Sequence, residues 1–366
     1  MKNCKKCNDE KDLIIDHITF VLTEECNLSC DYCFEAKKNI HYKMSFDVFK
    51  RSIELLFRKK VLNKSIFFFG GEPLICLDDI MKWAKWLNDY YPAMKKSITT
   101  NGILLDKEIL KELINQNISI LLSIDGYGEE ANYSRKDHQN ICIWNKWLEN
   151  IEPIDNKQIL TIRMTVTKKN VRFLFQSVKE FVCMGICNIA LAIDYYENWT
   201  EADLILYKIQ FRKILGYYYQ QFINDYSVHI DVIDRIIMSG LSKIYSRCRI
   251  ITDSLTVLPD GDLKICHRAN SICSNIYYDY EKIKKDLWTQ KTGMKGIKEC
   301  NECVLNKRCF LCPFSMHYFD PMKCDIVCEI NQFHITEVDN MITMLYSSGN
   351  KFFYNYFWNK DIKSEE

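Results

Sequence analysis

CNLSCDYCF, residues 26–34, sets three cysteines apart by gaps of three and two residues, directly after a short apolar run, HITFVL at 17–22. Three thiolates so placed can hold three irons of a 4Fe-4S cubane and leave the fourth iron without a protein ligand. A structural zinc lacking its fourth ligand is the alternative, though closed zinc sites usually draw on paired C-x2-C knuckles. The rest of the chain favours ligation over disulfides. It carries eighteen cysteines in 366 residues. Its start, MKNCKKCNDEKD, is charged and has no apolar core of a secretion signal. No later run approaches the ~18 apolar residues of a membrane span. A reduced, cytoplasmic protein is therefore expected, and in such a compartment a cysteine field reads as metal or catalytic ligation. Lys and Arg number 49 against 48 Asp and Glu, a net charge of +1, which points to neither nucleic acid nor an anionic membrane as partner.

Outward from that stretch the sequence alternates. SIFFF (65–69), KSITT (96–100), ISILLSI (118–124), LTIRMTV (160–166) and NIALAI (188–193) are short runs bounded by Gly, Asn or Asp, as buried parallel strands should be. Between them SFDVFKRSIELLFRKK (45–60), LDDIMKWAKWLNDY, DKEILKELINQ and NVRFLFQSVKEFV space apolar residues three and four apart, the first opening on Ser45 as N-cap. Six strand-then-helix units predict an α/β fold, a partial (β/α)6 barrel of TIM-like kind, with chemistry at the C-terminal ends of the strands. After residue 194 the text turns helical and aromatic, and beyond about residue 245 loop-like and dense in cysteine. The expected organisation is a tail over 1–16 holding Cys4 and Cys7, the barrel with a helical linker over 17–240, a cysteine-rich domain over 241–335 and a helical tail over 336–366.

The tripod of Cys26, Cys30 and Cys33 resembles the cluster motif of the radical S-adenosyl-L-methionine (SAM) superfamily, and other positions match in order. FFFGGEP (67–73) follows the second strand, TTNG (99–102) the third and LSIDG (122–126) the fourth. The glycines allow close backbone approach to a ligand, and Glu72 offers a carboxylate to an ammonium. The resemblance implies that Gly70, Gly71, Glu72 and Pro73 bind the methionine end of SAM, that Tyr32 packs near its adenine, and that Thr100, Asn101, Ser123 and Arg163 complete the cofactor site. It also implies that the open iron chelates SAM, whose reductive cleavage gives a 5′-deoxyadenosyl radical. For Ser123 and Arg163, ordinary polar bonding inside the barrel is the competing reading.

The second cysteine field resembles the SPASM extension of peptide-modifying radical SAM enzymes, whose pattern runs C, G-x4-C, C-x2-C-x5-C-x3-C, C. Here it is Cys248, Gly261 with Cys266, CNECVLNKRCFLC (300–312), and Cys324 with Cys328; the last central gap is two residues instead of three. By that resemblance Cys300, Cys303, Cys309 and Cys328 hold an outer 4Fe-4S cluster, with Cys324 as the alternate to Cys328. Cys248, Cys266 and Cys312 hold an inner one, with Cys273 or a substrate thiolate in its fourth position. The expected cofactors are SAM and three 4Fe-4S clusters, one radical-generating and two auxiliary. A zinc ribbon is the competing reading of residues 300–312. Cys4 and Cys7 read as a solvated pair, with a metal or redox role as the alternative, and Cys76, Cys142, Cys183 and Cys187 as small buried hydrophobes.

The residue after the G-x4-C cysteine narrows the substrate. Anaerobic sulfatase maturases place a catalytic aspartate there, whereas this chain has His267, in ICHRAN, a tentative catalytic residue. A Cys-His pair resembles maturases of ribosomally made peptides, including thioether-forming ones. The function expected is a radical SAM peptide maturase abstracting hydrogen from a peptide and closing a cysteine thioether. Carbon-carbon cross-linking and formylglycine-type sulfatase maturation are the alternatives, and a zinc-stabilised binding protein is the non-enzyme one. The implied partners are a peptide or protein substrate, in the first place a ribosomally made precursor, and an electron donor such as flavodoxin or ferredoxin. The first seventeen residues are too few for a winged-helix leader-binding domain, so leader binding would need another surface or a separate leader-recognition protein.

Overall fold

The structure is a computed structural model and describes residues 14–33, 42–57, 64–241, 253–269, 271–293, 302–305, 308–309, 321–353, 355 and 357. Cys4, Cys7, Cys248, Cys300 and Cys312 lie outside the described residues, as does the side chain of Cys324.

A ten-stranded sheet organises the chain. Its strands are β1 (His17–Val21), β2 (Ser65–Phe69), β3 (Lys95–Thr100), β4 (Ile118–Ser123), β5 (Leu160–Val166), β6 (Asn188–Ile193), β7 (His229–Ile230), β8 (Ser254–Val257), β9 (Asp262–Lys264) and β10 (Ser274–Asn275). The order is β10-β9-β8-β1-β2-β3-β4-β5-β6-β7, parallel from β8 through β7 and antiparallel only in the β8-β9-β10 meander. The six expected strands are present in chain order, and the fold is a partial barrel of the expected kind. Two short parallel strands extend it. β8 comes from the cysteine-dense region yet pairs with β1, His17 opposite Ser254.

The helices are α1 (Phe46–Leu56), α2 (Leu77–Tyr90), α3 (Lys107–Asn115), α4 (Trp144–Ile151), α5 (Leu174–Cys183), α6 (Glu201–Ile223), α7 (Asp231–Leu241), α8 (Tyr280–Gly293) and α9 (Pro321–Ser347). Their starts are chemically marked. Ser45 Oγ accepts from Val48 N at 3.3 Å, Asp106 from Ile109 N at 2.8 Å, and Thr200 with Asp203 forms a reciprocal capping box. Each barrel helix buries an apolar face against the sheet, as α1 does with Phe49, whose ring stacks on Trp83 of α2 at 4.6 Å.

The loop-like reading beyond residue 245 is corrected, since β8, β9, β10, α8 and α9 lie there. Strands of two to four residues are too short to show a period, and the 27-residue α9 shows little apolar contrast because its buried stripe, which runs from Val327 to Leu345, includes the polar Asn331 and His334. Helix α9 docks on α6, where Tyr207 Oη and His334 Nε2 are 2.7 Å apart and Arg212 pairs with Glu337 at 2.7 Å. Burial lowers the His334 pKa to about 3, so its ring is neutral. No helix among the described residues is long and apolar enough to cross a membrane.

The two faces of the sheet differ. In β5, Leu160, Ile162, Met164 and Val166 are buried toward the helices, while Thr161 and Thr165 are half-exposed and Arg163 is exposed on the inner face. β2 alternates in the same way, with Ile66 and Phe68 buried and Phe67 and Phe69 half-exposed. A closed barrel fills its interior with packed side chains. Here the inner face lines a hollow that solvent reaches.

Candidate active site

The three cysteines sit on the loop leaving the C-terminal end of β1, and the chain fixes that loop from two sides. On one side it pairs with residues 134–137: Ser29 N donates to Lys136 O at 2.7 Å, Asp31 N to Ser134 O at 3.0 Å, and Leu28 bridges Asp137. On the other, Gly71 N donates to Thr23 O and Glu72 N to Glu25 O, both at 2.8 Å. This contact explains the glycine pair. A Cβ on Gly71 would stand 2.2 Å from Glu25 O, and one on Gly70, at φ +152°, 2.4 Å from Thr23 O. The close approach that the glycines permit is therefore first of all to the chain's own cysteine loop.

Glu72 is buried and its carboxylate ties the turn after β2 to the end of β3. Oε1 accepts from Leu74 N at 3.0 Å and from Thr100 Oγ1 at 2.8 Å, and Oε2 from Asn101 N at 2.7 Å. Pro73 opens the 3-10 turn that Glu72 caps. Burial raises the Glu72 pKa to about 7 in spite of those bonds. Asn101 carries the linkage on to the cysteines, its Nδ2 donating to Asn27 Oδ1 at 2.7 Å and lying 3.9 Å from Cys26 Sγ. The Cys26 thiol is pushed up to about 12, first by burial and further by Glu72 and the neighbouring Cys30 and Cys33, against a bond from Leu28 N. A metal centre must therefore displace protons to bind here.

Tyr32 turns inward and donates from Oη to Asp125 Oδ2 at 2.5 Å. Asp125, of the LSIDG segment, also accepts from Thr165 N at 3.1 Å and forms an ion pair with Arg135, whose Nε lies 3.0 Å from Oδ1. Asn132 orders the turn, receiving Asp125 N and donating to Gly126 O and Gly128 O. Ser123 and Arg163 stand side by side in the β4-β5 register on the inner face. Arg163 has protein around it on all sides and an exposed surface at once, so it lines the hollow; burial and the neighbouring Arg268 lower its pKa.

The second cysteine field is described in part. Cys266 and Cys273 flank the β9-β10 hairpin, both half-buried, with Cys273 N donating to Leu263 O at 2.7 Å. His267 reaches back into the hollow, its ring 4.8 Å from that of Phe69 at the end of β2, and burial holds it neutral with a pKa of about 3. Arg308 forks onto both oxygens of Asp339 at 2.7 Å, anchoring the segment of Cys309. That anchor is eleven residues, about 16 Å, along α9 from Cys328, which is exposed. Cys303 is half-buried. Of the four expected core cysteines, Cys76 and Cys187 are buried and Cys142 is half-buried, but Cys183 is exposed. It is the last residue of α5, and the buried positions of that turn are taken by Phe181 and Val182.

The tripod therefore gathers with Tyr32, Glu72, Thr100 and Asn101 at one end of the sheet, and Ser123 and Arg163 face the hollow beneath. Asp125, Asn132 and Arg135 belong to the same assembly and were not anticipated. The only sequence signal was the aspartate of LSIDG, because the polar stretch 127–142 has no period. The donor set suits a cubane. Among the described residues no three Cys, His, Asp or Glu side chains converge tightly enough to share one ion. A cluster takes each thiolate on a different iron and needs a wider triangle.

Comparison with known proteins agrees with this arrangement. Residues 20–171 match the radical SAM superfamily model. A cysteine-type anaerobic sulfatase-maturating enzyme of Clostridium perfringens is 25% identical over 314 residues, 78% of this chain and 84% of that one. The antilisterial bacteriocin subtilosin biosynthesis protein AlbA of Bacillus subtilis is 25% identical over 320 residues, 82% of this chain and 65% of that one. The solved structure of native anSMEcpe with bound AdoMet and Cp18Cys peptide superposes with a TM-score of 0.68 at 20% identity, covering 86% of this chain and 99% of that one. With its cysteine tripod at the mouth of an open parallel barrel, this chain carries a radical SAM domain over residues 20–171.

Proposed function

We propose that the protein is a peptide maturase in which Cys26, Cys30 and Cys33 hold a 4Fe-4S cluster and the ends of β2 to β5 hold SAM. One observation carries this reading. The tripod loop is hydrogen-bonded to the ends of β2 and β3 at the rim of a sheet whose inner face is partly exposed and mixes aromatic with polar side chains, leaving room for cofactor and substrate. When bound, the reduced cluster supplies the electron that cleaves SAM and yields the hydrogen-abstracting radical. The chain's own residues do the rest. Glu72 keeps one free lone-pair site after its three bonds, enough for an ammonium. Gly70 and Pro73 shape that turn, the Tyr32 ring offers a flat face held by Asp125, and Ser123 with Arg163 presents a hydroxyl and a guanidinium to the hollow.

Support for a peptide substrate comes from the relatives, which act in sulfatase maturation and bacteriocin biosynthesis, and from the neighbouring structure with a bound peptide. Two auxiliary clusters on the second cysteine field extend the proposal, with ligands as the SPASM pattern assigns them. Thioether closure is the specific reading, and it requires an inner cluster with an open iron. Cys273 decides this, since it shares a hairpin with Cys266. With Cys273 as fourth ligand the inner cluster is closed, and carbon-carbon cross-linking and formylglycine-type sulfatase maturation become the surviving readings.

The test is the Cys26→Ala, Cys30→Ala, Cys33→Ala triple variant, purified anaerobically. About one third of the iron and all 5′-deoxyadenosine formation should disappear, for three clusters of equal size. Undiminished 5′-deoxyadenosine would overturn the proposal.

A further inference from the structure

Arg135 is a buried cation whose purpose the cofactor site leaves open. Its side chain is 8% exposed, it sits in the polar stretch after β4, and its neighbours Ser134 and Lys136 form the backbone pairing that grips the tripod loop. Its guanidinium carbon lies 5.6 Å from the centre of the Tyr32 ring, and its Nε 3.0 Å from Asp125 Oδ1. The two bonds of that pairing, Ser29 N to Lys136 O and Asp31 N to Ser134 O, flank Cys30 on the tripod loop and Arg135 on the segment facing it, so the cation sits opposite this cysteine in the pairing. Asp125 is engaged besides by Tyr32 and Thr165 N, so its charge is spread over three partners.

We propose that Arg135 is a positioning residue that sets the reduction potential of a cluster on the tripod, its buried positive charge favouring the more negative, reduced state. The inference rests on the tripod holding a cluster and goes beyond that reading by assigning a tuning group. The physical reason is the low dielectric. A charge removed from water acts over several ångströms with little screening, and cluster potentials respond to local charge, hydrogen bonds and solvent exposure. Arg135 is better placed for this than Lys43 or Lys136, which are 50% and 27% exposed and paired to Glu25 and Asp31. Asp125 serves as the counter-charge that limits the effect and aligns the guanidinium.

The experiment is an EPR-monitored redox titration of the fully loaded enzyme. The tripod signal is identified as the one missing from the triple cysteine variant. Arg135→Met should make reduction at least tenfold less favourable, a fall of about 59 mV for one electron, at unchanged iron content. Arg135→Lys, which keeps the charge, should restore most of it. Asp125→Asn, which removes the counter-charge and keeps an acceptor for Tyr32, should move the midpoint upward. That opposite sign cannot come from a merely loosened loop, and it remains measurable if Arg135→Met fails to take up its cluster. An unshifted midpoint in Asp125→Asn, or a Lys variant that behaves as the Met variant does, overturns the inference. A signal that persists in the triple cysteine variant would instead overturn the cluster reading beneath it.

Discussion

Replacing Glu72 by Gln isolates what a buried carboxylate does at this site. Its two oxygens accept three hydrogen bonds, at 3.0, 2.8 and 2.7 Å, from the turn after β2 and the end of β3. An amide has one acceptor oxygen, so in either orientation its NH2 faces a backbone N–H, of Leu74 or of Asn101. One such mismatch costs about 1–3 kcal/mol. The wild-type carboxylate carries its own cost, because its pKa rises from 4.5 in the unfolded chain to about 7 when folded. A raised acid pKa means that the folded state binds the proton more tightly, so stability from this group falls as the pH climbs through that window and levels off above it. The loss is about 3 kcal/mol, and the amide escapes it. Cluster-free Glu72→Gln should therefore melt about 1–4 °C below wild type near pH 5. The gap should narrow or reverse by pH 8. In the loaded enzyme at pH 8, the lost charge-assisted bond to an ammonium should weaken SAM binding by about one to two orders of magnitude, from ~1.5–3 kcal/mol. A stability gap that widens with pH would refute the burial argument, and unchanged SAM affinity in an anaerobic titration would refute the ammonium contact.

Two further substitutions probe the supports of the site. Gly71→Ala forces a methyl into backbone at 2.2 Å from Glu25 O, so it should destabilise the protein by roughly 1–3 kcal/mol and displace the loop of Cys26, read as lost tripod iron; wild-type iron and melting temperature would show that this packing is dispensable. Cys312→Ala, in the segment outside the described residues, should alter one auxiliary cluster's spectrum and stop peptide modification while SAM cleavage continues. Zinc loss without iron loss would refute the auxiliary cluster there.

The sequence by itself was enough for the barrel and for the first ligands. Strands β2, β5 and β6 are read to the residue, because a run buried on its helix side and bounded by turn residues is a local signal. Ser45 and the α2 boundaries come from capping and apolar spacing, and the tripod from spacing alone, since its three thiols lie within eight residues. Only the tertiary structure decided what surrounds them. The addition of β8 to β1, the Glu72 link to Thr100 and Asn101, and the bond of Tyr32 to Asp125 join residues 28 to 237 positions apart, for which no local period exists. The glycine pair shows the difference most directly. As sequence it signals close approach, but its partner, the backbone of Thr23 and Glu25, is set by how two loops pack. Arg135 is the extreme case: an arginine in a polar stretch reads as surface, and it is buried because folding brings Asp125 and the tripod loop around it.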